Sequence, residues 1–201
     1  MKTKPALTSQ ALHPIIQNRW SPRAFDTNQA IDQASLTALL EAAQWAPSCM
    51  NEQPWRFIVC LKDQHPQAWA RLLACIAEKN QPWAANAPLL IAAIAINHFN
   101  HNQQPNRWAA YDTGAACLNL SLQATALGLV CHQMGGFDQA KLAQDFDLPK
   151  DCTPMTVIAV GYQAEADCLN AEFQQRELAD RSRAALEERF YFGSWQPDQS
   201  N

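Results

Sequence analysis

Ala46-Pro47-Ser48-Cys49-Met50-Asn51-Glu52-Gln53-Pro54-Trp55-Arg56-Phe57 joins an amphipathic helix to an apolar strand, and its reading decides the fold. The helix before it covers residues 32–45, with Asp32 as cap and Leu36, Leu39, Leu40 and Ala43 as its apolar stripe. The strand after it, residues 57–61, is short and continuously apolar. Two prolines stiffen the link, and Ser48, Asn51 and Gln53 put donors and acceptors on it. A rigid polar loop at a sheet edge is a common device for reading a planar heterocycle. A turn whose Ser and Asn side chains bond their own backbone accounts for the same residues.

The pattern continues on both sides of this link. Further strands are expected over residues 88–96, 129–134 and 155–162, and further helices over 8–18, 64–79, 106–127 and 139–146. Four strands interleaved with helices make an α/β or α+β sheet protein. The helix at 106–127 carries Ala109, Ala110, Ala115 and Ala116 and is apolar over most of its circumference. Such a helix belongs at the centre of a protein or at a subunit interface. After Gly161 come a charge-rich stretch, 165–189, and then Phe190, Tyr191, Phe192 and Trp195. This tail is too poor in aliphatic residues to fold alone, so its aromatics need a partner surface. There is no internal repeat and no linker, which predicts one domain over 1–201.

Composition narrows the function. The chain has 201 residues and a formal net charge of −4, and only 17% of its residues are charged. With no Lys/Arg run, nothing draws it to nucleic acid or to an anionic membrane. The longest apolar run, 87–96, is half of what a membrane helix needs. The basic start Met1-Lys2-Thr3-Lys4-Pro5 lacks the apolar segment of a signal peptide. Seven cysteines, an odd number without a C-x-x-C, fit buried thiols in a reducing cytoplasm. His98-x-x-His101 and Cys131-His132 read as a surface loop and a core strand, and no metal site is expected. The six glycines spell neither G-x-G-x-x-G nor G-x-x-x-x-G-K-[ST], so a phosphate would have to be held by side chains.

Arg19-Trp20-Ser21-Pro22-Arg23-Ala24-Phe25 offers such side chains. Pro22 pushes Ser21 toward an extended conformation, and residues 19, 21 and 23 then share one face. Two guanidinium forks with a hydroxyl between them suit an anionic ligand. They suit a surface loop paired with acids elsewhere as well.

Together, R-x-S-x-R-x-F and, one helix later, A-P-S-x-x-N-x-Q-P-W-R-F closely resemble the FMN-dependent nitroreductases. Asp112-Thr113-Gly114-Ala115-Ala116, running into Asn119-Leu120, resembles that family's central helix. Gln133-Met134-Gly135-Gly136-Phe137-Asp138 resembles its glycine-containing loop at the flavin. Arg181-Ser182-Arg183, followed by Leu186-Glu187-Glu188 and Phe192-Gly193-Ser194-Trp195, resembles its C-terminal phosphate-binding tail. The motifs stand in the family's order from about residue 10 to 195.

The resemblance implies a three-layer α/β/α fold of the α+β class, with a mostly antiparallel sheet and an intertwined homodimer. It implies a tail, about 165–201, packed on the partner subunit or on the FMN phosphate. Arg19, Arg181 and Arg183 match the residues that hold the phosphate. Arg181 and Arg183 face one way only in an extended segment, so the helix beginning near residue 170 is expected to break before them. Arg23 matches the basic residue at the pyrimidine edge of the isoalloxazine, and Ser21 a further flavin contact. Pro47, Ser48, Cys49 and Asn51 lie on the loop that reaches the flavin of the other subunit. Gly135 and Gly136 lie where a backbone amide meets the flavin's reactive nitrogen. Trp20, Gln53 and Met134 complete the implied cofactor set. Two positions depart from the family: Gly135, where many relatives carry Glu, and Cys49, where Ser is common.

The activity so implied is an NAD(P)H-dependent flavin oxidoreductase, with NADPH or NADH as co-substrate. A nitroaromatic, quinone or similar small electron acceptor would be reduced by ping-pong hydride transfer. Other flavin chemistry on the same fold (aldehyde or enone reduction, dehalogenation, flavin fragmentation) and a non-catalytic flavin binder are the alternatives. No protein residue is expected to be catalytic, because the flavin carries the chemistry. None of the five histidines falls in a matched motif, so solvent is the expected proton source. The segment 96–107 is expected to help roof the pocket.

Overall fold

Leu89, Ile91 and Ala93 fall in one buried apolar cluster and their neighbours Leu90 and Ala92 in another. Successive residues of a strand face opposite ways, so this strand is covered on both sides. That is why it reads as an unbroken apolar run and not as an alternating one. The computed structural model describes residues 3–195; residues 1–2 and 196–201, the ends of the expected domain and tail, lie outside the described residues.

Four strands, β1 (Trp55–Leu61), β2 (Leu89–Ile96), β3 (Val130–Met134) and β4 (Cys152–Gly161), form one sheet in the order β1-β2-β4-β3. Every neighbouring pair is antiparallel. Seven α-helices lie among the described residues: α1 (Pro14–Asn18), α2 (Gln33–Gln44), α3 (Pro66–Cys75), α4 (Gln81–Ala84), α5 (Ala109–Ala126), α6 (Gln139–Asp145) and α7 (Ala171–Leu178). One face of the sheet packs on Leu36 and Leu39 of α2 and on Ala116, Leu120 and Ala124 of α5. The other packs on Trp69 and Leu72 of α3, Trp83 of α4, Leu142 of α6 and Phe173 of α7. The α+β class and the three layers are therefore those implied by the motifs.

The differences from the expected elements lie at their ends. The first helix covers only Pro14–Asn18, not 8–18. Pro14 sits at its first turn and forces His13 into an extended cap with ψ 135°. Proline sets the start of α3 in the same way, at Pro66, and the helix stops at Cys75 because Ile76 turns extended to pair with Phe137. α5 starts at Ala109 and not at 106, because the Asn106 side chain captures the Trp108 amide in a local turn at 3.0 Å. Among the described residues no helix is long and apolar enough to cross a membrane.

Candidate functional site

Residues 19–26 run beside the exit of β4. The Asp26 amide donates to Tyr162 O at 2.9 Å, Phe25 bridges Gln163, and the Ala164 amide donates to Ala24 O at 3.0 Å. Arg19 is extended (φ −60°, ψ 123°), and its Nη1 reaches Ser21 Oγ at 3.5 Å, so these two side chains share a face. Trp20 lies under the Lys4 ammonium, 4.4 Å from its ring centroid, and lines a cleft of about 160 Å³ with Asn18, Thr125 and Val130.

The tail brings two more guanidinium groups to Arg19. α7 ends at Leu178, Ala179 is extended with ψ 147°, and the chain is out of helix before Arg181. Arg181 Nη1 donates to the main-chain oxygens of Lys4 and Gln17, which ties the tail to both the N-terminal segment and α1. Burial, and then the Arg183 guanidinium, hold Arg19 below the ordinary guanidinium pKa. Burial, and then Arg19 and Arg183, do the same to Arg181. Three cations from opposite ends of the chain are thus close enough to oppose each other's charge. Among the described residues no carboxylate forms an ion pair with any of them. Such a cluster is stabilised by an anion, and its forked donors match phosphate oxygens.

Arg23, two residues on from Ser21, has neighbours of its own. Its guanidinium carbon is 5.9 Å from the ring centroids of both Trp83 and Phe173. Its Nε is buried with no hydrogen-bond partner. Burial lowers its pKa, and Glu177 raises it in part. The peptide that carries it is gripped from both ends. His132 Nδ1 donates to Pro22 O at 3.0 Å, which requires the tautomer protonated at Nδ1 because a carbonyl can only accept. The Arg23 amide donates to Glu177 Oε1 and Oε2, each at 3.0 Å, and the Ala24 amide to Oε1 at 3.3 Å. Glu177 is only 2% exposed.

The link before β1 is held by a different device. The Cys49 amide donates to Asp112 Oδ2 of α5 at 3.0 Å, and the Gln53 amide donates to Ser48 Oγ at 3.0 Å. Met50, Asn51 and Gln53 all lie in the left-handed region, with φ of 55°, 56° and 51°. For residues with a Cβ this conformation costs on the order of 1–3 kcal/mol each, and such strain gathers at ligand-binding loops. Glu52 ties in the segment 97–106: the Asn100 amide donates to Glu52 Oε1 at 2.8 Å, and His101 Nδ1 lies 4.0 Å from Oε2.

The glycine pair follows β3. A Cβ at Gly135 would meet nothing within 4 Å, so the position is open. At Gly136 a Cβ would lie 3.4 Å from Asn80 Nδ2, and its carbonyl accepts from the Ala77 amide at 2.9 Å. Met134 is buried in the sheet, its carbonyl accepting from Thr156 Oγ1 at 3.0 Å.

The expected residues therefore fall into two groups. Arg19, Ser21, Arg181 and Arg183 meet, and Arg23, Gly135 and Gly136 join them along the β3 edge, where His132 of β3 holds Pro22. Pro47, Ser48, Cys49, Asn51 and Gln53 lead into β1 at the opposite edge of the sheet, at the strand end that pairs through Ala95 with the start of β4 and not with its exit. Nothing in the sequence motifs marks Glu177, His132 or Asp112 as the holders of these segments. The sequence carries one signal for Glu177: it stands four residues after the buried Phe173, on the apolar side of α7. The seven cysteines are free thiols. Burial pushes the Cys117 thiol up to about 11 and Cys131 to about 12, which suits packing and not reactivity. No group of three or more metal-ligating side chains gathers among the described residues.

An antiparallel four-stranded sheet between helix layers, with an arginine cluster at one edge, defines a class of mixed α+β proteins equipped for an anionic ligand. Comparison with known proteins resolves the class. The model of the nitroreductase family matches residues 16–162. A putative NADH dehydrogenase/NAD(P)H nitroreductase of Streptomyces coelicolor is 30% identical over an alignment of 154 positions that covers 67% of this chain and 74% of that one. A putative NAD(P)H nitroreductase of Bacillus subtilis is 26% identical over 187 residues, covering 75% and 88%. A solved structure described as an oxidoreductase containing FMN superposes with a TM-score of 0.91 at 30% identity, over 98% of this chain and all of that one. The chain belongs to the nitroreductase family.

Proposed function

We propose that this chain is an FMN-dependent NAD(P)H oxidoreductase that reduces nitroaromatic, quinone or similar small electrophiles by a ping-pong hydride transfer. The observation that carries the proposal is the cluster of Arg19, Arg181 and Arg183, held together without a carboxylate. A dianionic phosphate ester with a planar ring fits it: the arginines take the phosphate, and the open backbone at Gly135 leaves room for the ring. When bound, FMN would supply the hydride chemistry. The protein's own part is to bind and orient. Arg23, with an unpartnered buried Nε, directs a positive charge to the ring, and the strained loop 47–53 supplies polar groups from a fixed backbone. The relatives named as NAD(P)H nitroreductases, and the FMN-containing oxidoreductase, support the same cofactor and co-substrate.

The working unit is a homodimer with shared sites. The loop 47–53 and the arginines stand at opposite edges of one sheet, so a flavin touched by both is touched by two chains. Trp45, Met50, Tyr111, Phe190, Phe192 and Trp195 are all exposed on a single chain, and Phe192 is 96% exposed. Large apolar side chains left exposed in this number favour an interface. In this reading residues 1–201 are one FMN-binding domain whose tail, from about 165, packs on the partner or on the phosphate. Seven free thiols support a reducing, cytoplasmic setting.

Purified protein should be yellow, should lose its flavin absorbance on addition of NADH or NADPH, and should turn over a quinone steadily. Colourless protein that takes up no added FMN would sink the proposal. Bound FMN that neither nicotinamide bleaches would favour the non-catalytic binder.

A further inference from the structure

The peptide between Pro22 and Arg23 is held at both of its polar ends by residues distant in sequence. His132 takes its carbonyl, and Glu177 takes its N–H together with that of Ala24. A planar peptide pinned at O and at H cannot rotate about its flanking bonds. The direction in which Arg23 leaves the main chain is thereby set. Its guanidinium then lies beside Trp83 and Phe173, and Phe173 is itself on α7 four residues before Glu177. One helix thus supplies both the anchor for the Arg23 backbone and one wall for its side chain. A buried carboxylate is costly unless its oxygens are satisfied, and here the satisfying donors are these two amides.

The geometry points to Glu177 as a positioning residue: its carboxylate, buried against the Arg23 and Ala24 amides, fixes where the Arg23 guanidinium meets the pyrimidine edge of the bound flavin. This rests on the FMN reading of the site. Glu177 is aimed at backbone amides and acts on the cofactor only through Arg23. Glu177→Gln keeps the size but turns half of the acceptor into an N–H donor, which faces an amide that also donates.

The experiment has two arms. In flavin-free protein, amide hydrogen exchange at Arg23 and Ala24 reads the clamp directly, and E177Q should exchange both amides faster than the parent. In FMN-loaded protein, a double-mutant cycle reads the consequence. E177Q alone should slow reduction of the flavin by NAD(P)H about tenfold, the scale expected when a positioned charge is displaced. In an Arg23→Ala background the same change should have no further effect, because nothing is left to position. E177D keeps the charge on a shorter arm and should fall between. Unchanged exchange at the two amides, an unchanged reduction rate, or an equal slowing with and without Arg23 would each overturn the inference. If E177Q does not fold, E177D is compared in the same two backgrounds, with the same outcomes decisive. Parent protein that binds no FMN would instead sink the cofactor reading and leave the exchange result to judge the clamp.

Discussion

Asp112, near the start of α5, accepts the amide of Cys49 at 3.0 Å across 63 residues of chain. Asp112 is only 3% exposed, so this bond is made away from water. It fixes the start of a loop in which three of four successive non-glycine residues, 50, 51 and 53, have positive φ.

Asp112→Ala should therefore leave the Cys49 amide unsatisfied and cost about 1–3 kcal/mol of stability. Asp112→Asn retains an acceptor oxygen and should cost much less. Urea unfolding of the two variants checks the contrast, and limited proteolysis should cut the Ala variant preferentially within 48–53. Equal midpoints for both would contradict the account.

Arg181 and Arg183 changed together to Ala should weaken FMN binding by roughly 3–6 kcal/mol, at about 1.5–3 for each charge-assisted contact. Quenching of flavin fluorescence on titration measures this. Because Arg181 also ties the tail to the main-chain oxygens of Lys4 and Gln17, the flavin-free variant should lose a little stability as well, so the affinities are compared on folded protein. An FMN affinity equal to the parent's would show that the tail does not hold the phosphate.

His132 gives the protein an acid limb. Burial holds its pKa down to about 4, against an ordinary 6.5. Between those values the unfolded chain binds a proton that the folded chain refuses. Stability therefore rises with pH across this window and is lost as pH falls from 6.5 toward 4. The full loss is about 2–3 kcal/mol. His132→Gln cannot titrate, and its stability measured from pH 7 to 4 should fall less steeply by that amount.

Gly161 ends β4 where a side chain has no room. A Cβ there would lie 2.7 Å from Pro88 Cδ and 3.1 Å from Phe25 Cδ1. The proline ring cannot swing aside, so Gly161→Ala should cost about 1–3 kcal/mol. Phe25 is the neighbour that can yield, and its movement would drag the segment 19–25. The thermal midpoint and the FMN affinity should both drop.

The parts of this site that could be read from the sequence are those whose chemistry is local. Proline at 22 and the alternation of Arg19 and Ser21 set an extended arginine face within a few residues. The stiff polar link 46–54 announced itself by its two prolines. The helix breaks before Arg181, as the phosphate role that the family resemblance implies for two arginines two positions apart requires. What could not be read depends on topology. Glu177, His132 and Asp112 act across 154, 110 and 63 residues, and their roles exist only once the sheet order brings those segments together. A lone Glu in a helix looks like solvated surface until the amides it caps are known. Helix starts depart from the apolar periodicity where one residue, Pro14 or Asn106, outweighs it.

The strand order β1-β2-β4-β3 has a genetic consequence. If each site draws its arginines from one subunit and its loop from the other, two differently disabled copies can repair one another. A chain without Arg181 and Arg183 and a chain with Ser48 and Asn51 replaced would each be inactive alone. Co-expressed, they would assemble hybrids in which one of the two sites inherits every intact part. Random pairing would restore about a quarter of the parental sites. A cell carrying both defective alleles would then reduce substrates that neither allele handles by itself.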